Sequence, residues 1–295
     1  MFKNKILKLY FPLLIALFIS SCSENDEETS YLEWTKTGSG LTASTTKNVL
    51  TEFVGSTNCP YCPEADAKLL SYFNPSHVDF VGSDITSKWF LINYHTYSPG
   101  RGDPMYEFLR GTSETGEDDY CYIRFEEGNW YTLYGVPTTY TNGNYSSITP
   151  DMANGPMSEL TPLSISLDGS DIDNGSISVR ISISSSRDLS LNDSLHLFIA
   201  ATLDDVIYTG YNGEPSHQDV FLGWINEGLS GELLLIEKET ISKDYQWEMP
   251  SNWPQNNYET SWHTVEWDQK NLAIVAFIQN SQTMEVMQVA GYSGD

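Results

Sequence analysis

Val49-Leu50-Thr51-Glu52-Phe53-Val54-Gly55-Ser56-Thr57-Asn58-Cys59-Pro60-Tyr61-Cys62-Pro63 is the stretch whose reading decides the fold. From Lys47 to Val54 the chain carries the β-branched and aromatic residues of a short strand, and Gly55 to Asn58 breaks it. A helix is predicted next, with Cys59, Pro60, Tyr61, Cys62 and Pro63 at its start. Its apolar side is Ala65, Leu69, Leu70 and Phe73, three to four residues apart, and Asn74-Pro75 ends it. The cysteine pair therefore falls at a strand-to-helix junction. Unpaired amide N–H groups and the helix dipole stabilise an anion there, so Cys59 is expected to ionise readily. Cys62, one turn inward, is expected to be more buried and to act as the resolving thiol that attacks a mixed disulfide.

Working outward, Trp89-Phe90-Leu91-Ile92-Asn93-Tyr94 reads as a second strand ending in His95-Thr96. If it runs parallel to the first, His95 opens at the same edge as Cys59, where it could tune the thiolate or shuttle a proton; the bland reading is a local hydrogen-bonding residue. Residues 100–129 are acidic and glycine-containing and read as an insertion beside the active face. Beyond it, Leu133-Tyr134-Gly135-Val136-Pro137-Thr138-Thr139-Tyr140 places a proline at the start of a further strand, where its missing N–H is tolerated and the X-Pro bond can be cis.

The order "VLTEFVGSTNCPYCPEADAKL", "LINYHTYSPGRGDPMY" and "YGVPTTYTNGN" resembles the Omp28-related outer membrane lipoproteins of Bacteroidetes, with the specific motifs confined to residues 47–145. The resemblance implies an α/β thioredoxin-like domain followed by a C-terminal β-sandwich, and thiol-disulfide chemistry in the envelope. It also implies a cis-Pro137 loop facing the cysteines, in which Val136 offers its backbone to an extended peptide. In thioredoxin-like enzymes a buried acid on the strand before the cysteines relays a proton to the second one. Glu52 is the candidate here, although the loop from Val54 to Asn58 is a residue longer than usual. Were Glu52 merely exposed, the proton would leave through water or His95.

After a closing helix over residues 150–160, the pattern changes to alternation. Leu163–Leu167, Ile177–Ile183 and Leu195–Ala201 each have a period near two, and residues 271–279 and 284–289 supply two more strands. Such strands with polar turns predict an all-β, immunoglobulin-like antiparallel sandwich. Asp171 to Gly175 is expected as a hairpin turn in preference to a calcium loop. Tyr245, Trp247, Trp253, Tyr258, Trp262 and Trp267 are expected mainly as core, with stacking on a ligand as the alternative.

The N-terminus carries Lys3, Lys5 and Lys8 before an apolar run, Leu9 to Ile19, too short for a comfortable membrane span. It ends in Ile19-Ser20-Ser21-Cys22, which resembles a lipobox, so residues 1–21 are expected to be a signal peptide and Cys22 the lipidated mature N-terminus. Residues 22–45 then form an acidic tether and linker, 46–160 the thioredoxin-like domain and 161–295 the sandwich. Lipid on Cys22 would hold the protein to the outer membrane, periplasmic or surface-exposed. Net charge is -25, and loss of the three lysines with the signal takes it to -28, which repels phosphate backbones and argues against nucleic acid as a partner.

With Cys22 assigned to lipid, the 4 cysteines leave Cys59, Cys62 and Cys121. A pair two residues apart suits a redox couple or half a zinc site. The 5 histidines lack ligand spacing, which favours redox, with no bound metal or cofactor required. Protein thiols and disulfides and a redox partner are the expected partners. The rival reading is a surface adhesion lipoprotein in which the thioredoxin fold is a scaffold and the sandwich binds glycans or proteins. A zinc site completed by Cys121 is the third.

Overall fold

The computed structural model describes residues 34–110, 124–125, 130–173, 175–226, 230–251 and 253–293, and residues from Trp34 onward form one compact unit. The stretch expected to be a signal peptide, Cys22, the acidic residues that follow it and Cys121 lie outside the described residues.

Leaving aside several two-residue strands, the strands that build the two main sheets are β1 Thr35–Ser39, β2 Val49–Gly55, β3 Trp89–His95, β4 Thr138–Thr141, β5 Asn144–Tyr145, β6 Leu163–Asp173, β7 Ser176–Ser185, β8 Leu195–Leu203, β9 Val220–Trp224, β10 Glu239–Glu248, β11 Leu272–Asn280 and β12 Val286–Ser293. The helices are α1 Cys62–Ser71, α2 Ser83–Thr86, α3 Pro104–Leu109 and α4 Asp151–Met157. Two sheets organise them. The larger runs β12-β11-β8-β9-β3-β2-β4-β5, and the smaller β1-β10-β7-β6. As expected from the β-rich pattern, the strands predicted on either side of residue 160 are present.

In the larger sheet β2 and β3 are parallel, with Val49 opposite Trp89 and Gly55 opposite His95, while β4 is antiparallel to β2 and sets Tyr140 opposite Glu52. Asn142-Gly143 turns β4 into β5, with φ of 45° and 89°, the pair of positive values a type I′ hairpin needs. The sheet does not stop at the end of the cysteine-bearing half. Val220 of β9 pairs in parallel with Asn93, and the Asn93 N–H donates to the Asp219 carbonyl at 2.8 Å, so strands from both halves share one sheet.

Side-chain alternation divides that sheet into two faces. Val49, Phe53 and Leu91 point at α1 and α4, burying Leu69, Tyr72 and Ala153. Farther along, Leu197, Ile199, Ile274 and Ile278 pack against Ile177, Ile181 and Ile183 of the smaller sheet, which makes the sandwich. Behind both runs a single cluster joining Leu50, Val54 and Tyr94 to Phe198, Phe221 and Phe277. Each such fully buried aliphatic or aromatic side chain contributes about 1.5–3 kcal/mol.

Three sequence expectations need adjustment. Thr35–Ser39 falls in the stretch expected as linker but forms β1, antiparallel to β10. All five residues are exposed, so no buried face marked the strand in advance. The first helix begins at Cys62, with Tyr61 as N-cap, because Cys59 still belongs to a turn in which the Cys62 N–H donates to the Cys59 carbonyl at 3.3 Å. Of the late aromatics, Tyr245 and Trp253 are buried, Trp247 and Trp267 pack partly against the core, and Tyr258 and Trp262 are exposed.

Candidate functional site

Cys59 and Cys62 form a disulfide, their Cα atoms 5.4 Å apart. Cys62 is the first residue of α1, so the disulfide lies at that helix's N-terminal end although Cys59 precedes the cap. The expected asymmetry in burial is absent: both cysteines are 1% exposed. The residues just before Cys59 are tied to neighbouring chain on both flanks. Asn58 Nδ2 donates to the Gly100 and Arg101 carbonyls at 3.0 and 3.1 Å. On the other flank the Asn212 N–H donates to the Thr57 carbonyl (3.0 Å) and Asn212 Nδ2 to the Ser56 carbonyl (3.2 Å). Gly210 fits under this clasp because a side chain there would have its Cβ 2.6 Å from Thr57 Cβ.

The Val136–Pro137 peptide bond is cis. Pro137 lines a cavity of about 450 Å³ together with Tyr61, Ala65, Lys68 and Tyr145, so the residue between the two cysteines and the proline of the downstream loop face the same space. Tyr61 and Tyr145 are each 73% exposed there. The spacing of the two motifs, more than seventy residues apart in sequence, is thus closed by the β2–β4 pairing.

Glu52 is elsewhere. It shares its face of β2 with Leu50 and Val54, the face turned away from α1, and so does not lie under the cysteines. Its carboxylate accepts from Arg124 Nε (2.9 Å) and Nη2 (2.7 Å), and from the Tyr94 and Tyr131 hydroxyls at 3.1 and 2.5 Å. Arg124, itself buried, is surrounded by the rings of Trp130, Tyr131, Phe198, Trp224 and Phe277. Burial opposes its charge, and the Glu52 carboxylate more than compensates, holding its pKa above the usual guanidinium range. Glu52 is half of an internal ion pair, and the expectation that it serves as proton relay is corrected on that ground.

His95 does reach the cysteine side of the sheet. Its Nδ1 lies 2.7 Å from Asp103 Oδ2, and the same carboxylate oxygen accepts the Thr57 N–H at 2.9 Å, two residues before Cys59. Asp103 also caps α3, its other oxygen accepting from Met105 N at 3.0 Å. Burial disfavours charge on both partners. Their mutual attraction wins, raising the His95 pKa and lowering that of Asp103. The His217 ring stands edge-on to His95 at 5.0 Å and is held neutral by burial and by the His95 charge, its pKa pulled down to about 3.

One residue of consequence was not singled out from sequence. Asp66 lies on α1 four residues after Cys62, and is buried with it on the inner face of the helix. Burial, then the neighbouring Glu214, push its pKa up to about 8. The available signal was a carboxylate spaced with Cys62 and Leu69 on the apolar side of a predicted helix.

Among the described residues no group of three or more His, Cys, Asp or Glu side chains is placed to hold a metal ion, and no helix is long and apolar enough to cross a membrane.

No family model and no curated protein matches the chain. Among solved structures it is similar to HBP35 of Porphyromonas gingivalis, with a TM-score of 0.62 at 14% identity over 86% of this chain and 77% of that one. A protein from Agrobacterium tumefaciens matches at a TM-score of 0.45 and 12% identity, covering 86% and 97% of the two chains. A domain of the outer membrane lipoprotein Omp28 from Porphyromonas gingivalis matches at 0.32 and 19%, covering 46% and 89%. The likeness to HBP35 is one of fold and spans both halves of the chain.

Proposed function

We propose that this chain is an envelope lipoprotein with a thioredoxin-like redox centre, in which Cys59 and Cys62 exchange thiols and disulfides with protein substrates. The observation that carries the reading is the Cys59–Cys62 disulfide at the start of α1, with cis-Pro137 and Tyr61 lining one cavity beside it. An extended peptide entering that space meets Tyr61, the residue between the two cysteines in the chain, and finds the Val136 backbone next to the proline. In the reducing direction the Cys59 thiolate attacks a substrate disulfide, one substrate thiolate leaves, and Cys62 attacks Cys59 to release the second. The lipid on Cys22 and the outer-membrane location belong to this proposal and rest on the N-terminal sequence.

Insulin reduction and a redox titration against glutathione test it. The protein as purified is expected to give a reversible two-electron couple, with activity lost in Cys59→Ser and in Cys62→Ser. Absence of a reversible couple rejects the reading.

The rival reading, a glycan- or protein-binding surface lipoprotein, draws on one observation: the exposed Tyr211 and Trp262 rings have centroids 4.3 Å apart, an aromatic pair open to stacking. Glycan binding that survives both cysteine substitutions and is lost in Trp262→Ala would favour it.

A further inference from the structure

Thr57, two residues before Cys59, is held from both halves of the chain. Its N–H donates to Asp103 Oδ2 at 2.9 Å, at the cap of α3, and its carbonyl accepts the Asn212 N–H at 3.0 Å. Asn212 belongs to a tight loop of the sandwich half, closed by the Tyr208 N–H on the Pro215 carbonyl (3.2 Å) and the Gly213 N–H on the Gly210 carbonyl (3.2 Å). Gly210 also lies against Thr57, so close that a Cβ there would be 2.6 Å from Thr57 Cβ. Tyr211, between these two contacts, is left outside and is 70% exposed. The bonds that link them put the Tyr211 Cα within about 12 Å of the Cys59 Cα.

A second turn meets this loop. Ile207, ahead of the loop, exchanges hydrogen bonds with Glu266 at 2.8 and 3.0 Å, and the hairpin that leads to Glu266, Tyr258–Glu259 against Thr264–Val265, carries Trp262 at its tip. Thr260 Oγ1 fixes that tip by accepting the Trp262 and His263 N–H groups at 3.1 and 3.0 Å. The Trp262 ring, 51% exposed, stands 4.3 Å from that of Tyr211 at an angle of 58°. At the foot of the hairpin Tyr258, also exposed, meets Phe108 of α3 edge-on at 5.0 Å, and α3 is the helix whose cap holds Thr57. The exposed rings are therefore fastened, through α3 and through the loop, to the turn that carries Cys59.

We infer that the Tyr211–Trp262 pair is a docking subsite for the polypeptide substrate of the cysteine pair, taking an aromatic or large aliphatic side chain of that substrate. The inference rests on the oxidoreductase reading above and adds the chemistry by which the substrate is held. Its first support is position: whatever rests on these rings lies beside the disulfide. An extended chain covers the distance in about three to six residues, so the anchoring side chain lies that far from the reacting cysteine. The second support selects a polypeptide over a sugar. A sugar site needs polar side chains free to read the hydroxyls beside the stacking ring. Here Thr260 Oγ1 accepts two N–H groups and donates to the His263 carbonyl at 2.6 Å. Asn212 spends its Nδ2 on the Ser56 carbonyl and the Glu214 carboxylate, and its Oδ1 on the Glu214 N–H. With these groups committed to the fold, what the pair offers is apolar ring surface, the usual anchor of a protein contact.

The test uses the reduced full chain and short peptides whose single cysteine is a mixed disulfide with thionitrobenzoate, so that attack releases a coloured thiolate. One peptide set carries tryptophan four residues before or after the cysteine, and the matched set carries alanine there. Stopped-flow rates against peptide concentration give a half-saturating concentration for each, and the ratio between the sets cancels any general effect on the cysteines. In the unaltered protein at least one tryptophan peptide is expected to saturate at about a tenfold lower concentration than its alanine match, in the range of an aromatic contact. Trp262→Ala should bring that ratio near one, and Trp262→Phe, which keeps a ring, should retain most of it. Tyr211→Ala provides the same measurement should Trp262→Ala not fold. Equal half-saturation by both sets in the unaltered protein, or a ratio that persists in the alanine variants, overturns the subsite. Glycan-array binding that is lost in Trp262→Ala, with no tryptophan preference among the peptides, gives the rings to the rival reading. Thiolate release that proceeds equally in Cys59→Ser would instead overturn the oxidoreductase reading, and the subsite with it.

Discussion

Replacing Glu52 by Gln is the sharpest way to separate an internal ion pair from a redox acid. The substitution keeps shape and leaves one amide oxygen where the Tyr94 and Tyr131 hydroxyls had two carboxylate oxygens, and it removes the charge that Arg124 faces through two hydrogen bonds of 2.9 and 2.7 Å. Arg124 has 1% of its surface exposed and five aromatic rings around it, so water cannot replace the lost partner. Leaving one member of a buried pair uncompensated costs about 3–5 kcal/mol. For a folded unit of this length that corresponds to a fall in Tm of roughly 6–20 °C. Urea unfolding should show the midpoint falling with the slope unchanged. Below the transition, insulin reduction should match that of the unaltered protein, since Glu52 lies on the far face of β2. Glu52→Gln combined with Arg124→Met should recover most of the loss, because the orphaned charge is then gone. An unaltered urea midpoint, or insulin reduction lost while the protein is still folded, refutes the placement of Glu52.

Asp66 should make stability fall as pH rises. Its pKa is about 8 in the folded protein against 3.8 for a free aspartate, so between those values the native state binds a proton that the unfolded chain has released. Asp66→Asn removes that dependence, and its stability advantage should grow from near zero at pH 4 to on the order of a few kcal/mol at pH 8; urea midpoints that run parallel across this window count against it. Gly210→Ala drives a Cβ to 2.6 Å from Thr57 Cβ and 2.8 Å from its carbonyl oxygen, neither of which can yield cheaply. A loss of about 1–3 kcal/mol is expected, with faster reduction of the disulfide by dithiothreitol as the clasp over Ser56 and Thr57 lifts; an unchanged reduction rate would show that the clasp does not shield the pair.

Much of this arrangement was legible because it is local. The β-branched run before the glycine, the three-to-four spacing of Ala65, Leu69 and Phe73, and the alternation in Ile177 to Ile183 each report a single element with one buried face. The side of β2 on which Glu52 falls was also available in principle, since period two puts it with Leu50 and Val54. Which face carries α1 depends on packing, and the partner Arg124 sits in a stretch with no clear period. The strand Thr35–Ser39 was illegible for a different reason: it has no buried face, and its pairing partner, β10, begins two hundred residues later. Glu214, His217 and Asn212 escaped notice because their surroundings come from β9 meeting β3, a long-range contact that no window of sequence contains.

That contact bears on how the surroundings of the cysteine pair are built. Cys59, Cys62, Pro137, His95 and Asp103 all precede residue 160, yet Asn212, which is bonded to the Ser56 and Thr57 carbonyls, comes from the other half of the chain. The parallel step from Asn93 to Val220 and the hydrogen bond from Asn93 N–H to Asp219 hold that segment in register with β3, the strand that ends in His95. A displacement of β9 along β3 by one residue would swap the faces of Phe221 and Leu222, which lie in opposite clusters, and is resisted by both cores. The sandwich half therefore fixes the position of Glu214 relative to α1 through a buried sheet, a firmer constraint than a surface loop provides. It follows that the hold of Asn212 on Ser56 and Thr57 should be sensitive to packing at Phe221 and Leu222, and with it the rate at which dithiothreitol reduces the disulfide, while the geometry of the cysteine pair and cis-Pro137, set by β2, β4 and α1, should not be.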